Sequence, residues 1–166
     1  MSRERREKSI TLCLIVLLIL VDQLSKFFVH FALNGLPQRS FPIIKNFFHL
    51  TLVQNKGTAF GLLRNQSFFF ILVSFVAVIL ISHFLFFRKE KNKRLRIPLC
   101  LILAGAAGNL IDRLTFGFVI DFLDFRIWPV FNFADSFICV GVGLIVLQVF
   151  HANQCQARFG RTKTRR

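Results

Sequence analysis

The sequence predicts an α-helical integral membrane protein: a four-transmembrane-helix bundle with a small β-sheet and loops on the extracytoplasmic side, both termini cytoplasmic. Three observations predict it. Of the 166 residues, 54% are hydrophobic, including 23 Phe and no Tyr, and only 18% are charged, against roughly 25% in an ordinary soluble domain. Four stretches approach the about 20 apolar residues that a helix needs to cross a hydrocarbon core. The basic residues gather in three short segments instead of spreading over a surface. A soluble domain of this length could not bury that much apolar surface, and a disordered chain would not carry it.

The elements follow in order. The first span covers about residues 10–33 and is interrupted by Asp22-Gln23-Leu24-Ser25-Lys26. Arg3, Arg5, Arg6 and Lys8 before it imitate a secretory signal. No small-x-small cleavage site follows, so it reads as an uncleaved span. An outer β region occupies about 36–62. Gly35, Pro37 and Pro42 break helix there, and Asn46 to Gln54 is β-prone with partial alternation. Within it, Asn55-Lys56-Gly57-Thr58-Ala59-Phe60-Gly61 carries two glycines that permit a tight turn or a close backbone approach. The second span, 67–87, contains no Asp, Glu, Lys or Arg. The third, about 97–114, is apolar to Ala107 and continues through Gly108-Asn109-Leu110-Ile111-Asp112-Arg113. The fourth covers about 135–150, and a basic tail, 151–166, completes a single membrane-embedded domain.

Charge sets the expected orientation. Residues 1–9, residues 88–96 and the tail after Phe150 carry 15 of the 22 Lys and Arg. The positive-inside bias puts these segments, and both termini, in the cytoplasm. All three Glu (Glu4, Glu7, Glu90) share that side, whereas all five Asp (Asp22, Asp112, Asp121, Asp124, Asp135) fall at or near the outer ends of spans or in the outer loop. A net charge of +14 would suggest nucleic acid in a soluble chain. Here it reads as topology and anionic-lipid contact, with no nucleic-acid partner, because no recognition motif or aromatic interleaving accompanies it. Cys13, Cys100 and Cys139 lie in spans and Cys155 in the tail, with no CxxC pair, so no disulfide is expected.

Ionisable residues at membrane depth are expensive and each is a functional candidate. Asp22 and Lys26, one turn apart, can form a structural ion pair. Asp112 and Arg113 are adjacent and need partners elsewhere; Arg113 either neutralises carboxylates of another segment or serves as scaffold. His30, His49, His83 and His151 show no ligand spacing, which leaves no metal site. Ser136 reads as a cap at the start of the fourth helix. Asp121 and Asp135, both flanked by Phe, sit at the membrane boundary on one side. Two carboxylates brought together there would share a proton, one acting as base on a water while the other polarises a carbonyl. Helix capping and loop solvation account for the same two residues, and spacing leaves both readings open. A small transporter would place its carboxylates nearer the midplane. A metal-dependent phosphotransferase would use Asp121 and Asp124 as a Mg²⁺ pair, without the further Asp, Gly and Arg spacing it needs.

Taken together, the Asp22–Lys26 and Asn55–Gly61 segments, Gly108-Asn109-Leu110-Ile111-Asp112-Arg113, Val119-Ile120-Asp121-Phe122 and Phe131-Asn132-Phe133-Ala134-Asp135-Ser136 resemble the lipoprotein signal peptidases, or signal peptidase II, of bacterial membranes. The likeness covers nearly the whole chain, with five motifs in order. It implies a membrane aspartic endopeptidase that removes signal peptides from diacylglyceryl-modified prolipoproteins, cutting before the lipidated Cys. Asp121 and Asp135 map to the catalytic pair. Asn55, Asn109, Arg113 and Asn132 map to groups that line or support the site, with Asp112 as a brace, and Gly57, Ala59, Phe60, Gly61 and Ala134 fall in the same supporting motifs. Asp22 and Lys26 map to a more structural motif. Asp124 competes with Asp121, which holds the Asp of the family's Val-x-Asp-Phe pattern. The stretch between the two Asp is shorter than many relatives carry. The resemblance further implies no metal or other cofactor, membrane lipids as surroundings, and a multi-pass protein of the bacterial cytoplasmic (inner) membrane with its site near the extracytoplasmic face; a monomer is expected because four spans can hold the site alone.

Overall fold

The structure, a computed structural model, describes residues 2–57, 67–87 and 93–163, with 67, 93 and 152–163 as backbone alone. Among the described residues, four helices are long and apolar enough to cross a membrane: α1 (Arg3–Leu33), α2 (Ser67–Phe87), α3 (Arg96–Phe116) and α4 (Phe133–Lys163). Three strands, β1 (Ser40–Ile44), β2 (Phe48–Asn55) and β3 (Val119–Asp124), form one antiparallel sheet in the order β1-β2-β3. The bundle with a small sheet is the architecture that the hydropathy pattern predicts.

Two helices outrun their apolar stretches. α1 starts at Arg3 because its charged end is built to be helical. The Ser2 hydroxyl accepts from the Arg5 N–H at 3.4 Å, and Arg3–Glu7 (3.4 Å) and Glu4–Lys8 (3.0 Å) pair one turn apart. Arg96 reaches Glu7 at 2.9 Å and ties the start of α3 to this end of α1. α4 likewise continues as helix into the basic tail, to Lys163.

α3 is the central helix, packed against the other three. Small residues make that possible. A Cβ on Gly105 would collide with the Ala134 carbonyl of α4, and one on Gly141 of α4 would stand 2.7 Å from the Pro98 carbonyl of α3. Close backbone approach of this kind lets helices associate in a lipid solvent, where no hydrophobic force drives them together. Ile15, Cys100, Leu103 and Ala104 form the buried core of the bundle, covered from α2 by Val78, Ile81 and Leu85. The opposite side of α2 points outward, with Phe68, Phe69, Leu72 and Phe75 exposed, as a lipid-facing helix should.

The sheet end carries the candidate site. α3 stops at Gly117, whose φ of 77° gives the left-handed cap and whose N–H bonds the Arg113 carbonyl. The chain turns directly into β3, which adds to β2 with Val53 opposite Asp121 and Asn55 opposite Val119. A second core of Leu33, Leu52 and Ile120 seats this sheet on the end of α1. The sequence reading confined the outer sheet to about 36–62; the structure adds β3 from beyond the third span. Its Val119, Ile120 and Phe122 are buried, because this strand is covered on both sides instead of lying half in water.

Candidate active site

The site forms where β3 and the start of α4 meet. Asp121 lies in β3, 1% exposed, and Asp135 in the first turn of α4, half-buried. Asn132 joins them. Its backbone N–H donates to Asp135 Oδ2 at 3.3 Å and its Oδ1 accepts the Asp135 N–H at 2.9 Å, a reciprocal capping box. Its Nδ2 donates to Asp121 Oδ1 at 2.7 Å. The cap of α4 is therefore Asn132. Ser136, assigned that role above, instead donates its hydroxyl back to the Asn132 carbonyl at 3.0 Å, as a serine inside a helix does.

Each carboxylate takes a second amide. Asn55 Nδ2 donates to Asp121 Oδ2 at 2.9 Å, and Asn109 Nδ2 donates to Asp135 Oδ1 at 2.8 Å. The amide orientations follow from chemistry. Asn55 Oδ1 accepts the Gly57 N–H (2.9 Å), Asn132 Oδ1 accepts the Asp135 N–H, and Asn109 Oδ1 accepts Lys26 Nζ (3.1 Å). In all three, an obligate donor claims the oxygen, so the NH₂ group must face a carboxylate. Burial pushes the Asp121 carboxyl up, and the Asp135 charge adds to it; amide bonds from Asn55 and Asn132 and the Lys26 charge oppose them. The balance lies at about 7.

Behind the pair, Lys26 meets Asp22 at 2.8 Å and Asp112 at 2.9 Å, all three almost fully buried. The expected Asp22–Lys26 pair thus exists, and Asp112 joins it. Gln23, to which no role was assigned above, closes the cluster: its Nε2 reaches Asp22 (3.1 Å), Asp112 (2.9 Å) and the Gly108 carbonyl (3.2 Å). Its signal was available, since a polar side chain inside a span is itself informative. Gly108 leaves room for this cluster, because a Cβ there would stand 2.5 Å from Asp22 Oδ2.

Asp121 and Asp135 both open on one cavity of about 860 Å³, which Arg113, Asn55 and Gly57 also line. Its other walls are mainly apolar, from Phe70 of α2, Cys139 and Val140 of α4, and the 125–131 loop with Trp128. Arg113 stacks over Phe70, 5.3 Å from the ring centre. Asp124 belongs elsewhere. It accepts from Thr51 (2.7 Å) and from the Arg126 N–H (2.8 Å), so it shares no ligand position with Asp121. Ala134 contributes its backbone N–H to Asp22 Oδ1 at 2.9 Å. Ala59, Phe60 and Gly61 lie outside the described residues.

Fold and site together define a multi-pass membrane protein in which one buried and one half-buried carboxylate face a mainly apolar cavity at one end of the bundle. Comparison with known proteins supplies the family. The family model described as signal peptidase (SPase) II matches residues 14–151. The lipoprotein signal peptidase of Moorella thermoacetica is 48% identical over 139 residues, covering 83% of this chain and 91% of the relative. That of Fusobacterium nucleatum is 41% identical over 159 residues, covering 92% and 93%. A solved structure described as a bacterial membrane enzyme, determined by the in meso method at 2.3 Å resolution, superposes with a TM-score of 0.77 at 30% identity, over 87% of this chain and 90% of that one. The chain belongs to the signal peptidase II family and is an aspartic-type peptidase of the membrane.

Proposed function

We propose that this protein removes signal peptides from diacylglyceryl-modified prolipoproteins, hydrolysing the bond before the lipidated Cys with Asp121 and Asp135 as the water-activating pair. The observation that carries this reading is the opening of both carboxylates on one cavity whose walls are largely apolar. A substrate anchored by acyl chains stays in the bilayer, so its scissile bond must be met at the membrane boundary. Apolar walls suit the lipid and the hydrophobic signal helix, and the carboxylates suit the peptide.

In this scheme one carboxylate takes a proton from water as its oxygen attacks the scissile carbonyl carbon. The other carboxyl gives its proton to the carbonyl oxygen, yielding a neutral gem-diol. Collapse breaks the C–N bond, the leaving nitrogen takes the proton held by the base, and a gem-diol hydroxyl returns a proton to its partner. No group beyond protein and water enters. The same reading puts the basic termini in the cytoplasm, the sheet at the extracytoplasmic face of the inner membrane, and the working unit as a monomer.

The test is cleavage of a diacylglyceryl-modified prolipoprotein by purified protein in detergent, with and without EDTA. Wild type should cut, Asp121→Asn and Asp135→Asn should not, and EDTA should change nothing. Turnover surviving in either variant would refute the pair.

A further inference from the structure

The scheme above leaves open which carboxylate is the base, and it makes no use of the ionic cluster behind the pair. Lys26 has three N–H groups and three acceptors: Asp22 Oδ2 at 2.8 Å, Asp112 Oδ2 at 2.9 Å and Asn109 Oδ1 at 3.1 Å. Each acceptor leads on to the pair. Asp22 Oδ1 accepts the Ala134 N–H at 2.9 Å, and Asp112 Oδ2 accepts the Ile120 N–H at 3.1 Å. Those amides belong to the residues immediately before Asp135 and Asp121. Asn109 passes the third bond from Lys26 to the Asp135 side chain itself.

The two members of the pair are therefore not equivalent. Asp135 accepts from an amide whose oxygen is bound by a cation, and charge-assisted chains of this kind strengthen toward an anion. It also stands in the first turn of α4, where the helix dipole favours negative charge. Among the described residues, Asp121 accepts from Asn55 and Asn132, whose oxygens are taken by the backbone N–H groups of Gly57 and Asp135. It lies in a strand, without a helix end.

We propose that Lys26 is a positioning residue for the hydrolysis: through Asn109 it holds Asp135 as the carboxylate of the pair and leaves the shared proton on Asp121, while through Asp22 and Asp112 it fixes the backbone behind each. This rests on the paired-carboxylate reading and deepens it. Asp135 is then the base that takes the water proton, and Asp121 the acid that protonates the carbonyl oxygen. Among the described residues, the charged groups that act on the pair are Asp22 and Lys26 from α1 and Asp112 and Arg113 from α3. Of the two cations, Lys26 is the one that an amide links to Asp135. Because the pair titrates as a unit, Lys26 sets which microstate dominates, not two separate titrations.

Carboxyl NMR on protein labelled with [13Cγ]aspartate tests it. Five Asp give five signals, each assigned by its Asn variant. At about pH 6, where an ordinary carboxyl is ionised, wild type should show Asp121 protonated and Asp135 ionised. In Lys26→Gln, and in Lys26→Gln/Asp112→Asn, which keeps the formal charge of the cluster unchanged, the proton should move toward Asp135. The acid limb of kcat/KM should then rise by about one unit, and Lys26→Arg should restore the wild-type distribution in part. Lower thermal stability with both Asp signals and the acid limb unmoved would reduce Lys26 to a helix staple and overturn the proposal. If neither Gln variant folds, the wild-type spectrum decides alone: Asp135 protonated beside an ionised Asp121 overturns it. Cleavage by Asp121→Asn or Asp135→Asn would instead refute the pair itself, a separate outcome.

Discussion

Asp121→Asn should abolish turnover and yet make the protein more stable at pH 8. The wild-type carboxyl is 1% exposed and is pushed up to about 7, first by burial and next by Asp135. An unfolded Asp titrates near about 3.9. A folded value raised above the unfolded one means that the native state binds the proton more tightly. The favourable contribution is then whole below about 4 and is lost as pH rises from there through about 7. Three units correspond to roughly 4 kcal/mol forfeited by pH 8.

Asn carries no charge and escapes that loss, but it has a penalty of its own. Both Asp121 oxygens accept N–H groups, from Asn55 at 2.9 Å and Asn132 at 2.7 Å. An Asn side chain must set its NH₂ against one of those donors, at about 1–3 kcal/mol. The variant should therefore be more stable than wild type by roughly 1–3 kcal/mol at pH 8 and less stable by up to about 2 kcal/mol at about pH 4.5. Each kcal/mol moves Tm by roughly 2–4 °C at this chain length. Far-UV circular dichroism melts in detergent, run at both pH values, would read the crossover. A variant less stable than wild type by the same margin at both would refute the burial argument.

Three further outcomes follow from the same geometry. Burial acts to raise the Asp124 carboxyl, but hydrogen bonds from Thr51 and the Arg126 N–H, with the Arg126 and His49 charges, prevail and hold it below the usual range. Asp124→Asn should thus keep prolipoprotein cleavage, lose about 1–2 kcal/mol at neutral pH, and lose less than wild type as pH falls into the acid range, read by melts and the cleavage assay in parallel. Asn132→Leu removes a fully buried amide that serves both carboxylates and caps α4. It should cost about 2–4 kcal/mol and lower kcat by about 100-fold or more. Gly105→Leu has no room against the Ala134 carbonyl and Ile138 and should prevent purification of a folded, monodisperse protein, with Cys100 becoming reactive to thiol probes as α3 separates from its neighbours.

The spans were legible because hydropathy in lipid is nearly a one-dimensional signal, and Asp22–Lys26 because one helical turn decides it. What joined them was not. Asn55 meets Asp121 across 66 residues, and only strand pairing brings them together. Nothing local in Val119–Asp124 says that its partner is β2. The start of α4 was misread for a different reason. Asn132, Asp135 and Ser136 are all good capping residues within five positions, and local preference does not choose among them. Tertiary contact does, because Asn132 Nδ2 is anchored on Asp121 and on the Ile120 carbonyl at 3.2 Å. Asp112 escaped the ion-pair reading because its partner, Lys26, lies on another helix.

The sequence posed helix capping and catalysis as rivals for Asp135, and under the proposed mechanism one arrangement serves both. The capping box with Asn132 fixes the Asp135 side chain against the first turn of α4, and the same contact sets its position relative to Asp121. Asp135→Glu separates the two roles. Glu is favoured at the third helical position of a capping box, so a purely capping residue would tolerate it, with stability within about 1 kcal/mol of wild type. A carboxylate that must also meet the Asn109 amide at 2.8 Å and a water shared with Asp121 cannot be moved by a methylene; misplacement of about 1 Å at a reacting group costs on the order of 100-fold. The expected result is a protein that melts like wild type and cleaves prolipoprotein at about 1% of its rate or less. Near-normal cleavage by Asp135→Glu would leave Asp135 as a cap and nothing more.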